Sequence, residues 1–544
     1  RSALLRSQMM MVHAAMLAFA PSVTTVNTSA TTRPNILFMM ADQMRFDALG
    51  AVNPQLKTPA LNKLAAEGLR FAKAYSATPT CTPARASLLT GLSPWFHGML
   101  GYGAVATKYA FEHPRALADA GYLTHSIGKD HFGWNASLGL QGGAKYNHAY
   151  AARDTYDGLI HSPDPYHEWF GNQVNHTKEP LDCWPTLDMN SWRGAAYACD
   201  EYLHPTAWAG REAAAWLSSH KGPEFLLKVS FHRPHSPYDP PQRLLDAVSA
   251  ADVPPTWSGA WSASLATCYQ RGTASDPAPD AWCGEMPADE ALLGRRAYHA
   301  SIRFVDEQVA KIDAAMRSAD LLESTVWLFT ADHGDGQGDH FHWRKGYPYE
   351  FSAHVPLIVR WPARWSALGL PAPARPRGAV ATEIADLSDV APTLLHAAGL
   401  LDAPTAARFN GSSLLCVLAN ATAGGGGGAC GAAWRTRLAL EHATCYNESN
   451  HWSALVEPPH KYVFNALHGD EQLFDLGTDP HETTDLAADP AHAATLARLR
   501  GALAAQYVAE GRGEGWVKAG KLVPRPKSTL YSPNYPGGPP KYVA

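Results

Sequence analysis

The sequence is poor in charged residues, and it lacks any segment that would suit a nucleic acid or a membrane. Only 17% of the 544 residues are charged, and the formal net charge is −5. Since no run of lysines and arginines offers a face that could follow phosphates, nucleic acid is excluded as the main partner. No apolar segment reaches the roughly 20 residues that a membrane-spanning helix needs. With 46% hydrophobic residues, the chain is predicted to be globular, without a membrane span.

Several weak signals indicate the secretory pathway. Residues 9–20 form a short apolar run that ends in Ala-x-Ala and resembles a signal peptide. Glycosylation in that pathway modifies Asn-x-Ser/Thr sequons, of which the chain has six. They begin at Asn27, Asn135, Asn175, Asn410, Asn420 and Asn447. We therefore expect a glycoprotein that is extracellular or lysosomal.

A cysteine lies beside a proline and an arginine in the segment PTCTPARASLLTG, which covers residues 79–91. The composition of the second half predicts a helix from Ala86 to Leu92. A helix N-terminus and the guanidinium of Arg85 both stabilise a nearby anion, either the thiolate of Cys81 or a negatively charged substrate group. Taken alone, a Cys-x-Pro segment is more often a buried or disulfide-bonded cysteine.

Four apolar segments are predicted to be buried parallel strands, and each is followed by residues that can do chemistry. The strands are residues 35–41, 122–127, 224–231 and 325–331. The residues that follow them are Asp42, Gln43, Lys129, His131, His235, Asp332 and His333, with Lys345 a little further on. Ligands bind to open α/β sheets at the carboxyl ends of the strands. Each residue alone also has a structural interpretation, as a helix cap, a solvated lysine or a surface turn.

The acidic and amide residues in this set are suited to a divalent cation. Asp42, Gln43 and Asp332 supply hard oxygen donors, which favours Ca²⁺ or Mg²⁺. His333 is a softer ligand and leaves Mn²⁺ open.

The order of these motifs resembles the type I sulfatases of the alkaline phosphatase superfamily. The run C-T-P-A-R-A-S-L-L-T-G from Cys81 matches the signature of that family at every position. It is followed, in family order, by G-K-D-H, S-F-x-x-P-H-x-P, T-A-D-H-G-D and K-x-x-x-Y-E. The resemblance implies that a formylglycine-generating enzyme converts Cys81 to formylglycine, an aldehyde whose hydrate carries the attacking hydroxyl.

The resemblance also assigns roles to the other residues. Lys129 and Lys345 are implied as sulfate contacts, His131 as the base that releases sulfate, and His235 as the acid at the leaving oxygen. Arg85 is implied as a stabiliser of the nucleophile. The implied metal ligands are Asp42, Gln43, Cys81, Asp332 and His333. Gln43 departs from the commoner aspartate at its position, and its amide oxygen would bring one negative charge fewer.

The seven cysteines other than Cys81 leave their pairing open. They are Cys183, Cys199, Cys268, Cys283, Cys416, Cys430 and Cys445. The first two and the next two are close enough in sequence to close short loops, and the last three cluster in the C-terminal third. If Cys81 is converted, an odd number remains, so at least one cysteine is unpaired.

The predicted fold is α/β, with a large, mostly parallel central sheet flanked by helices as in alkaline phosphatase, and a small α+β C-terminal domain. We expect a leader and linker over 1–32, a catalytic domain over 33–420, the C-terminal domain over 430–522 and an irregular tail over 523–544. A run of five glycines marks the boundary between the two domains. Residues 133–215 show little periodicity and are interpreted as loops.

The predicted function is hydrolysis of a sulfate ester, on a carbohydrate or an aryl group. Two alternatives stay open. A phosphonate or phosphate ester hydrolase of the same superfamily would use the same cation and lysines, because its substrates are also tetrahedral oxyanions. A protein that binds sulfated glycans without turnover would share the fold of the family but would have lost its catalytic activity.

Overall fold

The computed structural model describes most of the chain from Arg33 onwards. The described residues are 33–131, 152–155, 164–173, 180–184, 186–188, 190–269, 272–363, 365, 372–421, 428–446 and 449–538. The predicted leader and the sequons at Asn27, Asn135, Asn175 and Asn447 lie outside them. Among the described helices, none is both long enough and apolar enough to cross a bilayer.

Eight strands form the central sheet, and six further strands follow in the C-terminal part. The strands are β1 Asn35–Asp42, β2 Leu69–Tyr75, β3 Leu123–Gly128, β4 Ala152–Thr155, β5 Phe225–Pro234, β6 Thr325–Ala331, β7 Leu357–Arg360, β8 Ala379–Asp386, β9 Leu438–His442, β10 Trp452–Glu457, β11 His460–Asn465, β12 Glu471–Asp475, β13 Val517–Lys518 and β14 Lys521–Leu522. The central order is β4-β3-β5-β1-β6-β7-β2-β8. In this sheet only β7 runs against its neighbours, so the predicted mostly parallel sheet is confirmed.

Helices cover the sheet and bury its central strands. The helices are α1 Pro59–Ala66, α2 Cys81–Thr90, α3 Pro94–His97, α4 His113–Asp119, α5 Pro165–Gly171, α6 Pro205–Ser219, α7 Gln242–Asp246, α8 Ala288–Ser318, α9 Glu350–Ala353, α10 Val390–Ala397, α11 Ala403–Ala406, α12 Leu414–Leu418 and α13 Ala493–Ala509. α6 packs on α8, and both contact β5. All eight residues of β1 are buried, as expected for a parallel strand covered on both faces.

The interpretation of residues 133–215 as loops is wrong for the strand β4, for the helix α5 and for the part of α6 that falls in this range. Both helices begin with a proline, Pro165 and Pro205, at a position where the missing N–H costs nothing. The side chains of Asp164 and His204 accept hydrogen bonds from backbone N–H groups in the first turn. These caps mark where the two helices begin. The apolar periodicity within the helices is weak, and so it did not predict them.

Four antiparallel strands and a helix make up the C-terminal part. The strand order is β12-β11-β10-β9, and Leu499, Leu503 and Tyr507 of α13 pack in one cluster with Leu455 and Tyr462 of the sheet. The predicted small α+β arrangement is therefore confirmed. The domain boundaries stay a prediction.

Three disulfides join cysteines that are close in sequence. The pairs are Cys183–Cys199, Cys268–Cys283 and Cys416–Cys430. Cys81 and Cys445 are free thiols in the structure.

Arg512 connects the C-terminal sheet to the rest of the chain, so its removal is expected to destabilise the protein. Its buried guanidinium donates to both carboxylate oxygens of Glu441, at 2.6 and 2.8 Å, and lies 4.6 Å from the ring of Trp95. Arg512→Met leaves Glu441 buried without its partner, which lowers the free energy of unfolding by about 3–5 kcal/mol. Chemical denaturation measures this change.

The control for this experiment is Arg498→Met, which removes a half-exposed partner of Glu457. That variant is expected to change the free energy of unfolding by about 0–1 kcal/mol. Equal losses in the two variants would contradict the role given to Arg512.

Candidate active site

The residues predicted for the site meet at the carboxyl edge of the central sheet. Asp42 is the last residue of β1, and Lys129, His235 and Asp332 immediately follow β3, β5 and β6. The side chains in the group are buried, with residue exposures between 0% and 6%. The structure thus brings together every predicted site residue: Asp42, Gln43, Cys81, Arg85, Lys129, His131, His235, Asp332, His333 and Lys345.

Cys81 is the first residue of α2. Its Sγ lies 3.2 Å from Nε2 of His333 and 3.1 Å from Nζ of Lys345. The predicted start of this helix at Ala86 is wrong by five residues. Pro83 is compatible with the earlier start, because it lies in the first turn, where a backbone N–H has no partner in the helix. Cys81 therefore lies at the positive end of the helix dipole.

Arg85 joins two carboxylates, one helical turn after Cys81. Its Nε donates to Asp332 Oδ2 and its Nη2 to Asp42 Oδ2, both at 2.9 Å. Its Nη1 donates to the carbonyl of Lys129 at 2.8 Å. The guanidinium thus fixes the two acids rather than contacting the thiol.

Asp42 is held in its charged form although it is fully buried. Burial alone would raise the pKa of its carboxyl, but the charges of Lys129 and Arg85 outweigh that effect and lower the pKa well below its usual range. Nζ of Lys129 lies 2.7 Å from Asp42 Oδ2. The carboxylate is therefore available as a ligand for a cation.

Four side chains form a candidate metal centre. Ligand atoms of Asp42, Cys81, Asp332 and His333 all lie within 4.8 Å of one another. Nδ1 of His333 lies 3.0 Å from the carbonyl of Gly334; as the donor in this contact, it leaves Nε2 free to ligate. Two carboxylates with an imidazole suit Ca²⁺, Mg²⁺ or Mn²⁺, and so the donor set fits the predicted cation.

Gln43 reaches the same site, but its contacts differ from those of a simple ligand. Its amide oxygen accepts a hydrogen bond from Nζ of Lys345 at 3.1 Å, and its Nε2 donates to Asp335 at 2.5 Å. Asp335 also accepts from the hydroxyl of Tyr238 at 2.7 Å. Asp335 was not assigned from the sequence, although it closes the quoted T-A-D-H-G-D motif. Ligation by Gln43 stays a prediction.

Lys345 and His235 form a hydrogen-bonded pair. Their Nζ and Nε2 atoms are 2.7 Å apart, and Nδ1 of His235 lies 2.6 Å from the carbonyl of Ser236. With Nδ1 donating to that carbonyl, Nε2 accepts the proton of Lys345. Burial and the charge of Lys345 lower the pKa of His235 well below its usual range. The proton of this pair therefore resides on Lys345.

His131 lies in the same charged surroundings. Burial, followed by the charges of Lys129 and Arg85, lowers its pKa well below the usual range, so the neutral ring can accept a proton. Its Nε2 lies 3.3 Å from the hydroxyl of Tyr102. Sequence reasoning missed Tyr102, because nothing in the segment G-Y-G marks it.

The site has a positive surplus that suits an anionic substrate. Arg85, Lys129 and Lys345 bring three positive charges to the carboxylates of Asp42 and Asp332, and a bound divalent cation would add two more. Buried positive charge of this kind stabilises tetrahedral oxyanions.

A family model described as Sulfatase matches residues 34–400, and one described as N-sulphoglucosamine sulphohydrolase, C-terminal, matches residues 338–508. The chain belongs to the sulfatase family. An arylsulfatase of Clostridium perfringens is 33% identical to it over 509 residues, which cover 92% of this chain and 99% of that protein. The choline-sulfatase of Rhizobium meliloti is 28% identical over 523 residues, covering 90% and 91% of the two chains.

The fold comparison agrees with this assignment. The phosphonate monoester hydrolase of Agrobacterium radiobacter superposes with a TM-score of 0.69 at 22% identity, over 88% of this chain and 96% of that one. That likeness shows the fold. The predicted enzyme class, a hydrolase of sulfate esters, is confirmed by the family model and by the arylsulfatase.

Calcium is expected to stabilise the folded sulfatase through the candidate metal centre. Added to chelator-treated protein at about 100 times its Kd, it should increase the free energy of unfolding by about 2.7 kcal/mol. Asp332→Asn removes one charged ligand and should lose most of that increase. Thermal unfolding with and without Ca²⁺ measures both effects.

The matched control is Asp313→Asn, which alters a carboxylate paired with Lys63 and Arg317 at the surface. Its response to Ca²⁺ should equal that of the wild type. An undiminished response in Asp332→Asn would contradict the assignment of the centre.

Proposed function

We propose that this sulfatase cleaves a sulfate ester, on a carbohydrate or an aryl group, with formylglycine made from Cys81 as its nucleophile. The observation that carries the proposal is the position of Cys81. It lies at the N-terminus of α2, beside Lys345 and within the donor set of the candidate metal centre. A hydrated aldehyde there would place a hydroxyl where the thiol stands.

The burial of Cys81 constrains when it can be modified. The residue is 0% exposed, so a generating enzyme would reach it only before the chain folds. This favours conversion during entry into the secretory pathway, and three disulfides fit the oxidising conditions of that route. We propose an extracellular or lysosomal destination.

In the first step a hydroxyl of the hydrate attacks sulfur and the S–O bond to the leaving group breaks. Lys345 donates a proton toward the leaving oxygen, directly or through Nε2 of His235, so that the product departs as a neutral alcohol. Its Nζ, which lies 3.1 Å from Sγ of Cys81, takes up the proton of the attacking hydroxyl, and Lys345 is positively charged again. Sulfate is then esterified to residue 81. Lys129 and Lys345 offset the charge on the sulfate oxygens.

In the second step the remaining hydroxyl of residue 81 loses its proton to His131. The C=O bond re-forms, the C–O bond to sulfate breaks, and sulfate leaves. A serine or cysteine sulfated at the same place has no second hydroxyl to expel the group. The proposed aldehyde therefore explains turnover without attack by water on sulfur.

A divalent cation, which we propose to be Ca²⁺, would be held by Asp42, Asp332 and His333, with Gln43 and residue 81 beside them. When bound, it supplies positive charge that favours ionisation of the attacking hydroxyl. Arg85 fixes the two carboxylates for this role.

Phosphonate or phosphate ester hydrolysis is the second candidate. The likeness to a phosphonate monoester hydrolase shows the fold alone, but the same positive groups would bind a phosphoryl oxyanion. A glycan-binding protein without turnover is disfavoured, because every predicted catalytic position is filled and buried at the site.

Turnover of matched substrates tests the proposed function. The purified protein should release 4-nitrocatechol from its sulfate ester with a kcat/KM at least about 10-fold above that for an aryl phosphodiester. Cys81→Ala should lower the sulfate rate by about 10³-fold or more, because the nucleophile is lost. A preference for the diester would favour the second candidate, and an active Cys81→Ala protein would contradict the role of residue 81.

His131→Ala is expected to separate the two steps. The variant should release one equivalent of aryl product and then stall, since the base contributes about 10²–10⁴-fold to sulfate release. Stopped-flow absorbance measures the burst, and peptide mass spectrometry should find sulfate on residue 81. Tyr102→Phe, which keeps the ring beside His131, is the control and should turn over without a burst. A His131→Ala protein that loses both steps equally would contradict this role.

A further inference from the structure

Arg344, the residue before Lys345, carries a buried positive charge without a carboxylate partner. The residue is 7% exposed. Its Nε donates to the hydroxyl of Tyr446 at 3.3 Å and its Nη1 to the carbonyl of Asp280 at 3.0 Å. It forms no ion pair with any carboxylate in the part of the chain that the structure describes, and its Nη2 makes no hydrogen bond there. Burying an unpaired charge is costly, so an anion is expected to complete this site.

The guanidinium belongs to the residue before Lys345, and the charges of both residues act on Tyr446. Its central carbon is 4.2 Å from the ring centroid of Tyr446. Burial raises the pKa of the neighbouring thiol of Cys445, while the charges of Lys345 and Arg344 oppose that rise and Cys81 adds to it. Cys445 thus lies within electrostatic reach of Lys345, Arg344 and Cys81.

A cavity of about 240 Å³ lies beside this segment. Trp282, which lines it, is nearly parallel to the ring of Tyr446, with an interplanar angle of 11° and centroids 6.4 Å apart. The lining is formed mainly by aromatic rings and side-chain amides: Trp282, Tyr347, Tyr349, Trp452, Asn450 and Gln472. Aromatic faces together with hydrogen-bonding amides suit a ligand that is apolar on its ring faces and polar at its edges, as a sugar is.

Asn450 lines this cavity and also packs against the backbone that follows Lys345. It is 6% exposed, and its Nδ2 is buried without a hydrogen-bond partner among the described residues. The same amide packs against Gly346, where an added Cβ would lie 3.0 Å from it. Gly346 follows Lys345, so this donor packs against a residue two positions after Arg344.

We propose that Arg344 binds a second anionic group of the substrate, so that the preferred substrates are sulfated sugars with an additional carboxylate or sulfate. The inference rests on the proposed function, because it takes Lys345 as the contact of the scissile sulfate. A guanidinium suits both groups, since its parallel N–H donors match two oxygens of a carboxylate or a sulfate. A quaternary ammonium substrate such as choline sulfate would instead be repelled.

Kinetics on paired substrates test the proposal. The first pair is glucosamine 6-sulfate and D-glucosamine-2-N,6-O-disulfate; the second is a sulfated hexuronate and its carboxyl-reduced form. The wild type should favour the member with the extra charge in at least one pair. Arg344→Gln should raise KM for that member by about 10- to 100-fold, the range of a hydrogen bond to a charged group. For 4-nitrocatechol sulfate, kcat/KM should stay within about threefold.

Two controls separate recognition from structural damage. Arg344→Lys keeps the charge and should recover part of the affinity, and Arg498→Gln, in the C-terminal sheet region, should leave both members of each pair unchanged. The KM of the wild type for the doubly anionic member should rise with salt, and Arg344→Gln should lose that dependence.

The pair for which Arg344→Gln raises KM identifies the second anionic group. It is a sulfate if the first pair is affected and a carboxylate if the second pair is affected. If Arg344→Gln lowers kcat/KM equally for 4-nitrocatechol sulfate and for both members of a pair, the proposal is wrong. It is also wrong if the wild type shows no preference for the member with the extra charge in either pair. Absence of turnover on every sulfate ester, including 4-nitrocatechol sulfate, would instead be a failure of the proposed function itself.

Discussion

The contact of Arg85 with Asp42 and Asp332 is the interaction on which the rest of the site depends. Two fully buried carboxylates repel each other, and the guanidinium between them offsets that repulsion with hydrogen bonds of 2.9 Å to each. Removing one member of such a buried arrangement costs about 3–5 kcal/mol. Because Arg85 lies one turn after Cys81 on α2, the same helix positions the nucleophile and the acids of the candidate metal centre.

The protein attracts an anion through the charges at one site and not through its net charge. The chain as a whole carries a net charge of −5, yet the edge of the sheet gathers Arg85, Lys129 and Lys345 around two carboxylates. Gln43 is neutral and therefore brings no further negative charge to offset them. Arg344 adds a further buried positive charge one residue before Lys345. In the proposed mechanism Lys129 and Lys345 hold the scissile sulfate. Arg344 favours substrates that carry a second anionic group.

Sequence reasoning predicted the parts of the fold that depend on local pattern. β6 has the predicted bounds, because an apolar run defines it. α2 was predicted to begin too late, since Pro83 was not placed in a first turn, and α6 was missed because its periodicity is weak. The site residues at strand ends were found from motifs. Contacts across the chain, such as Arg344 with Tyr446, leave no local signal and required the structure.

The chemical state of residue 81 tests the central claim most directly. The protein would be secreted from a eukaryotic host that modifies other sulfatases and then digested. Mass spectrometry would measure the mass of the peptide that spans residue 81, in parallel with an assay of sulfate release. The account predicts an aldehyde at position 81 in a fraction that rises with specific activity. An unmodified thiol in protein that turns over sulfate esters would contradict it.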